Sequence, residues 1–538
     1  MVADLLEPVP RARLDLRRIE RAMDFAFASG GTFTELDDCL DHATVSPTSW
    51  DAAAFERALF LRELCAERMP IRIDGKTYAP SATHLLRLVA HPPSDAETVR
   101  FRHEILRELA AAPTWRRELE QTYLRLRSWK ELFGPKERSE LPAPERKRME
   151  ILAGARAIAS GLREGFAGAK SGLSRLSELG RTIEETPAFA RLVSLLDLEQ
   201  NLATIDTRLR IGRDGALRSV EIVAVRENVG NASYVSPLTR FLRRIVAFFR
   251  GYVLREEEVR DALVDGVFTG VRPLLAPLFQ LQGDLELYLA ALGFRDHVRA
   301  AGLDVCIPEI VATPEPGKAE ARVLEGLFNP HLLGEEHPPT PCTLTFERSD
   351  AIVIFTGPNS GGKTRVLQAI ALAQLMGQAG LFVAATRARL VAANGMFVSL
   401  IEEARADQHE GRLGTELLRI REVFERLRPG GAVLLDELCS GTNPSEGQEI
   451  FALVTELLAE LSPQAFITTH FLDFAARLEA EAKDDRLAFL QVGLDAKSEP
   501  TFQFVRGVAR SSLASKTAER LGVTREALLA LVVQARAK

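Results

Sequence analysis

The stretch Gly357-Pro358-Asn359-Ser360-Gly361-Gly362-Lys363-Thr364 sets glycines, one lysine and a hydroxyl between the apolar run AIVIF and the helical text VLQAIALAQLMGQAG. It satisfies GxxxxGK[ST], with a strand expected before it and a helix after it. Such a loop is a cradle for phosphate. Its glycines let backbone N–H groups turn inward around phosphate oxygens, and the helix N-terminus adds partial positive charge. Lys363 can reach the β and γ phosphates and the Thr364 hydroxyl can ligate Mg2+, so ATP and Mg2+ are the expected ligands. A plain glycine-rich turn meets the same pattern, and other groups must decide between the two.

Two further runs supply those groups. GGAVLLDELCSGTNPSEG sets Asp436 and Glu437 at the end of an apolar strand. There Asp436 can hold Mg2+, directly or through water, while Glu437 can orient and deprotonate an attacking water. QAFITTHF offers another strand, ending in His470, placed to sense or bind the γ-phosphate. A solvated acidic turn and a structural histidine are the commoner fates of such residues taken singly. Phosphate loop, strand with Asp-Glu, Ser-Gly-Thr turn and strand with His form, in that order, the layout of ABC-type ATPases. The implied reaction is Mg2+-dependent hydrolysis of ATP to ADP and phosphate.

The elements that must position these groups change character along the chain. After residue 325, short β-rich runs (DAIVIF, GGAVLLD, QAFITT) alternate with helices, as in an α/β domain with a mostly parallel sheet. Upstream the text is helical. AAAFERALFLRELCAERM reads as one amphipathic helix, Ser94 with Glu97 as a capping box, and 144–165 and 186–206 as further helices. RSVEIVAV (218–225) alternates as a strand, and the helical pattern resumes from 237 to about 300. The expected fold is an α/β ABC-type P-loop ATPase domain, C-terminal in the chain, joined to a mainly α-helical core or lever region.

These residues resemble the MutS family of DNA mismatch-repair ATPases. TGPNSGGKT is similar to the family's TGPNxxGK loop, LLDELCSGTNPSEG to its DELGxGTxPxEG segment, TTHF to its TTHY and NPHLL to its HPLL. GVARSSLASKTAERLGV is similar to the closing helical segment that helps join two ATPase domains. The resemblance implies three parts: an N-terminal helical extension (1–95), a helical core with a small clamp-like insertion (96–325), and an ATPase domain ending in a helical dimerisation segment (326–538). It further implies that Asn359 helps arrange the γ-phosphate and attacking water, and that Ser440 to Asn443 lie at a homodimer seam. A trans-acting signature loop would fall in DQHEGRLGTELLRI, with Gly414 and Thr415, where Glu416 stands in place of the family's Phe. The base-wedging Phe-x-Glu of mismatch-repair members has a match in spacing at Phe33 and Glu35. Too few residues separate that match from the helical core to house the mismatch and connector domains, so a turn between helices is the expectation there. No Smr nuclease domain is matched.

The implied partner is duplex DNA, mispaired, branched or otherwise distorted, held by phosphate contacts as the nucleotide cycle proceeds. Arg240, Arg243, Arg244 and Arg250, with Phe248, Phe249 and Tyr252 interleaved, are the candidate contacts. The same text reads equally as an amphipathic helix with solvated arginines, since EEEVRD follows directly. The net charge of −6 gives no overall basic signal and leaves open an ATP-driven sensor or remodeller of RNA, ribosomes or a protein partner. The five cysteines are scattered without a CxxC pair, which suggests neither a disulfide framework nor a zinc site. With no apolar stretch at the N-terminus and no membrane-length apolar run, a cytoplasmic protein without membrane contact is expected.

Overall fold

The computed structural model describes residues 2–29, 34–46, 50, 52–134, 144–201, 203–211, 217–227, 256–315, 318–335, 338–358, 360–400, 412–439, 443–482, 485–510 and 523–537. The chain divides into two compact units. One comprises Met1–Thr44 with Glu108–Leu285, the other Val45–Arg107 with Glu286–Lys538.

The first unit is mainly helical, with long helices at Pro113–Glu131, Pro144–Gly165, Ser174–Glu184, Pro187–Asn201 and Glu256–Leu275. Trp129, Phe133 and Phe279 pack edge-on and tilted against one another, with centroids 4.9 to 5.9 Å apart. The N-terminal residues are strapped down by buried charge. Arg13 pairs with Asp284, and the Arg175 guanidinium donates to the carbonyls of Asp4, Glu7 and Pro8. The helix expected over 186–206 stops at Asn201. Ala203–Ile211 is instead a strand, paired antiparallel with Leu217–Glu227. Ile205, Thr207, Leu209 and Ile211 alternate with Asp206, Arg208 and Arg210, a period-two pattern that outweighs the helical text before it.

Differences of the same kind appear in the second unit. The amphipathic run 52–69 is not one helix: Phe60 takes a left-handed backbone (φ 48°), and the run ends in a π-helical turn, Leu64–Arg68. The break frees two carbonyls for tertiary use: Ala58 accepts from Gln368 at 3.4 Å and Leu59 from His331 Nε2 at 2.8 Å. Asp74 and Gly75, both with positive φ, close a two-residue hairpin between Ile71–Ile73 and Lys76–Tyr78. Helix Ala96–Ala111 is capped by Asp95, whose Oδ1 accepts from Thr98 N at 2.7 Å, and not by Ser94.

The second unit is built on a six-stranded sheet. Its members are β1 (Ile352–Thr356), β2 (Met396–Ser399), β3 (Ala432–Leu435), β4 (Gln464–Thr468), β5 (Leu487–Leu494) and β6 (Pro500–Arg506). Their order is β2-β3-β4-β1-β5-β6, parallel throughout except for the edge strand β6. β1, β3 and β4 are buried along their whole length, which explains their unbroken apolar text. A second, four-stranded sheet is formed by Glu309–Val311, Arg322–Leu327, Cys342–Phe346 and Arg387–Val391.

The helix α1 (Lys363–Gln378) follows β1, and every residue in it except Thr364 and Arg365 is buried. Apolar side chains alone would suffice for such a helix, yet three glutamines lie on it, all held. Gln374 donates to Gln378 and Val391 O, Gln378 to Pro93 O and Ala393 O, and Gln368 to Ala58 O. Arg322, fully buried, donates to both Gln374 of α1 and Gln464 of β4 and lies over the Phe466 ring at 5.1 Å. Unpartnered, each buried amide would cost about 1–3 kcal/mol, so the network fixes α1 in one position.

The capping geometry gives a direct test. Asp95→Ala should lower stability by about 1 kcal/mol in urea unfolding, whereas Ser94→Ala should leave it within error. Equal effects would mean that the cap lies elsewhere.

Candidate nucleotide site

Parallel strands in register end on the same side, so β3, β4 and β1, adjacent in the sheet, deliver their following residues to one edge. β1 runs into the loop beginning at Gly357, β3 into Asp436 and Glu437, and β4 into Thr469 and His470. The loop backbone demands glycine. Gly357 (φ 133°) and Gly362 (φ 81°) lie in regions that L side chains rarely adopt. A Cβ on Gly357 or Gly361 would also stand 2.7 or 2.8 Å from Val492 of β5. Pro358 O accepts from Gly361 N at 3.0 Å, and Gly362 is the left-handed N-cap of α1. Ser360 is exposed; Asn359 lies outside the described residues.

Lys363 is buried inside this turn, its Nζ donating to Gly357 O at 2.9 Å and Pro358 O at 3.0 Å. Desolvation lowers its pKa, and the nearby carboxylates of Glu437 and Asp436 only partly offset this. Its direct partners are neutral carbonyls. Among the described residues no carboxylate bonds to the ammonium directly, which leaves it able to take up an anion.

Asp436 is the centre of the site. Its Oδ2 accepts from the Thr364 hydroxyl at 2.7 Å and its Oδ1 from the Thr468 hydroxyl at 2.6 Å; the Thr468 oxygen in turn accepts from Glu437 N at 2.6 Å. The chain of bonds ties together the first turn of α1, the end of β4 and the acidic turn. Glu437, half-buried, and Cys439 both hold a left-handed backbone, φ 46° and 61°. His470 is exposed beyond β4, its ring 4.2 Å from that of Phe471.

The structure thus brings Lys363, Thr364, Asp436 and Glu437 together and puts His470 at the same sheet edge. Gly414 and Thr415 fall in the first turn of a helix, Arg412–Arg426, and the Thr415 side chain is outside the described residues. Glu416 of that helix accepts from Cys439 N, so its carboxylate is engaged by the acidic turn of its own chain. Of Ser440 to Asn443, only Asn443 is described; it caps helix Pro444–Leu461 by accepting from Ser445 N. Phe33 and the arginines 240, 243, 244 and 250 lie outside the described residues, while Glu35 sits in the first turn of helix Thr34–Asp41.

Thr468 was legible only as part of TTHF; its bond to Asp436 needs the strand order to be known. An apolar cavity of about 350 Å³ lies beside the loop. Gly361, Gly362, Phe328, Asn329, Phe502 and Phe504 are among its walls. Alternating aromatics in TFQF were the available signal. The donor set fits a magnesium–nucleotide: hard oxygens from Thr364 and Asp436, a glycine cradle that side chains would fill, and a buried cation.

Residues 353–537 match the family model described as MutS domain V, an ABC-type ATPase domain. This match, over about a third of the chain, supports membership of the MutS family. Among relatives, the chain is 31% identical over 242 residues to Endonuclease MutS2 of Thermus thermophilus, covering 45% of this chain and 31% of that one. It is 31% identical over 368 residues to Endonuclease MutS2 of Streptococcus uberis, covering 65% of this chain and 44% of that one. A third, Endonuclease MutS2 of Streptococcus equi subsp. equi, is 33% identical over 199 residues, 36% of this chain and 25% of the relative. The chain therefore spans less than half the length of these curated relatives. Among its described residues, no helix is long and apolar enough to cross a membrane.

Two stability measurements probe the site without nucleotide. Thr468→Val, nearly isosteric, strands Asp436 Oδ1 and Glu437 N and should cost about 1–3 kcal/mol. Lys363→Met should instead stabilise the ligand-free chain by about 1 kcal/mol, since it removes a desolvated cation. A Lys363→Met protein less stable than wild type would show that the ammonium is already well paired.

Proposed function

We propose that the chain is an ATPase that binds Mg2+–ATP at this site, hydrolyses it to ADP and phosphate, and uses the cycle to hold distorted duplex DNA. The observation that carries the reading is the convergence of Thr364 and Thr468 on Asp436 beside the buried Lys363. Thr364 and Asp436 would hold Mg2+, which when bound neutralises charge on the phosphate oxygens. Lys363, partnered by carbonyls, gains its counter-ion from the β and γ phosphates. By resemblance Asn359 and His470 would act at the γ-phosphate, and the loop from Gly357 to Gly362, Pro358 apart, would supply backbone N–H groups to the phosphates. The cavity walled by Phe328, Phe502 and Phe504 takes the adenine, for which an apolar slot with aromatic faces is suited.

Glu437 is the residue that acts on water. Its backbone is fixed through the Thr468 hydroxyl, which leaves the side chain to orient a nucleophile and accept its proton. A homodimer through the ATPase domains, with Gly414 and Thr415 facing the partner's nucleotide, is what the family resemblance implies and belongs to the proposal, as does a cytoplasmic location. So does DNA contact by Arg240, Arg243, Arg244 and Arg250, through salt-sensitive attraction to phosphates. What the relatives' names say of nuclease activity stays with those proteins.

Phosphate release by the wild-type and variant chains tests the chemistry. Glu437→Gln should bind ATP while turnover falls by about 10²-fold or more, and Lys363→Ala should lose binding itself. Release unchanged in both variants would assign the turnover to a contaminant. Anisotropy with junction, mismatched and plain duplexes at fixed salt tests the partner. Tighter binding to the distorted forms supports the reading; no binding to any of them, with hydrolysis intact, removes the DNA and leaves the ATPase.

A further inference from the structure

Arg365 has no place in the chemistry above, yet its position is unusual. It lies in the first turn of α1, directly after Lys363 and Thr364, and that turn contains no acidic residue. The N-terminus of a helix carries the positive end of its dipole, so a second cation there is unfavourable unless an anion joins it. The Arg365 guanidinium donates to the neutral amide oxygen of Gln368 at 3.0 Å, and no carboxylate pairs with it among the described residues. Its backbone is fixed from behind, where Asn329 Nδ2 donates to Arg365 O at 3.2 Å and to Gln368 Oε1 at 3.0 Å.

The side chain is exposed, but it also lines the apolar cavity beside Gly361 and Gly362. Lys363 occupies the inside of the loop, toward Gly357 and Pro358, where the outer phosphates lie in the proposed function. Arg365 lines the slot assigned to the base, together with Gly361 and Gly362 of the loop. The phosphate that joins those two regions is the one attached to the nucleoside. We propose that Arg365 is a nucleotide-binding residue that pairs with the α-phosphate, an inference that rests on the nucleotide reading of this site. A planar guanidinium suits the role, since one edge can stay on Gln368 while another donates to phosphate oxygens.

The α-phosphate is common to ATP and ADP, which fixes the experiment. The full chain, as wild type, Arg365→Ala and Arg365→Lys, is titrated with Mg2+–ATP and with Mg2+–ADP at low and at high salt. Arg365→Ala should weaken both nucleotides by the same factor, about tenfold. Arg365→Lys should recover part of the loss, and the gap should narrow as salt rises. A thermal unfolding midpoint unchanged in the ligand-free variants separates binding from folding. Unchanged affinity in Arg365→Ala overturns the inference while leaving the nucleotide site standing. A loss confined to ATP moves Arg365 to the γ-phosphate, and a loss indifferent to salt gives it a packing role; either refutes the assignment. Absence of nucleotide binding by the wild type would remove the site itself, and this inference with it.

Discussion

One carboxylate organises the end of the sheet where the candidate nucleotide site lies. Asp436 receives a hydroxyl on each oxygen, from Thr364 at 2.7 Å and from Thr468 at 2.6 Å, while being almost wholly buried. A buried carboxylate without such partners would be costly, and with them it becomes a rivet between three segments far apart in sequence. The phosphate loop, the acidic turn and the end of β4 hold their places through it. The same two oxygens are the hard ligands a magnesium ion prefers, so the bonds that align the site are also those a metal would contest.

The rigidity behind that carboxylate comes from α1. A helix enclosed on nearly every side usually relies on apolar packing, but here glutamines anchor it to backbone carbonyls at Ala58, Pro93, Val391 and Ala393. Arg322 links it to β4 through Gln374 and Gln464. Such bonds are directional where dispersion is not, and they determine the rotation of the helix as well as its depth. Lys363 and Thr364, in its first turn, inherit that orientation.

The chemistry was far more legible in the sequence than the architecture that surrounds it. Lys363, Thr364, Asp436 and Glu437 stand in short motifs whose spacing follows from strand–loop–helix geometry, and their neighbouring strands are continuous apolar runs. Recognising them required no long-range information. The helix breaks at Phe60 and Asn201 were not readable, because each is decided by tertiary bonds or by strand pairing that local periodicity does not encode. The cap lies one position beyond Ser94: Ser94 and Asp95 are both good caps, and only the folded chain selects between them. The cavity walls come from segments more than a hundred residues apart, so no local pattern could have assembled them.

The left-handed backbone at Glu437 and Cys439 has its own consequence. Neither residue is glycine, and a peptide released from its surroundings would relax out of that shape at a gain of roughly 1–3 kcal/mol for each. The acidic turn is therefore a spring held shut by the strands and threonines around it.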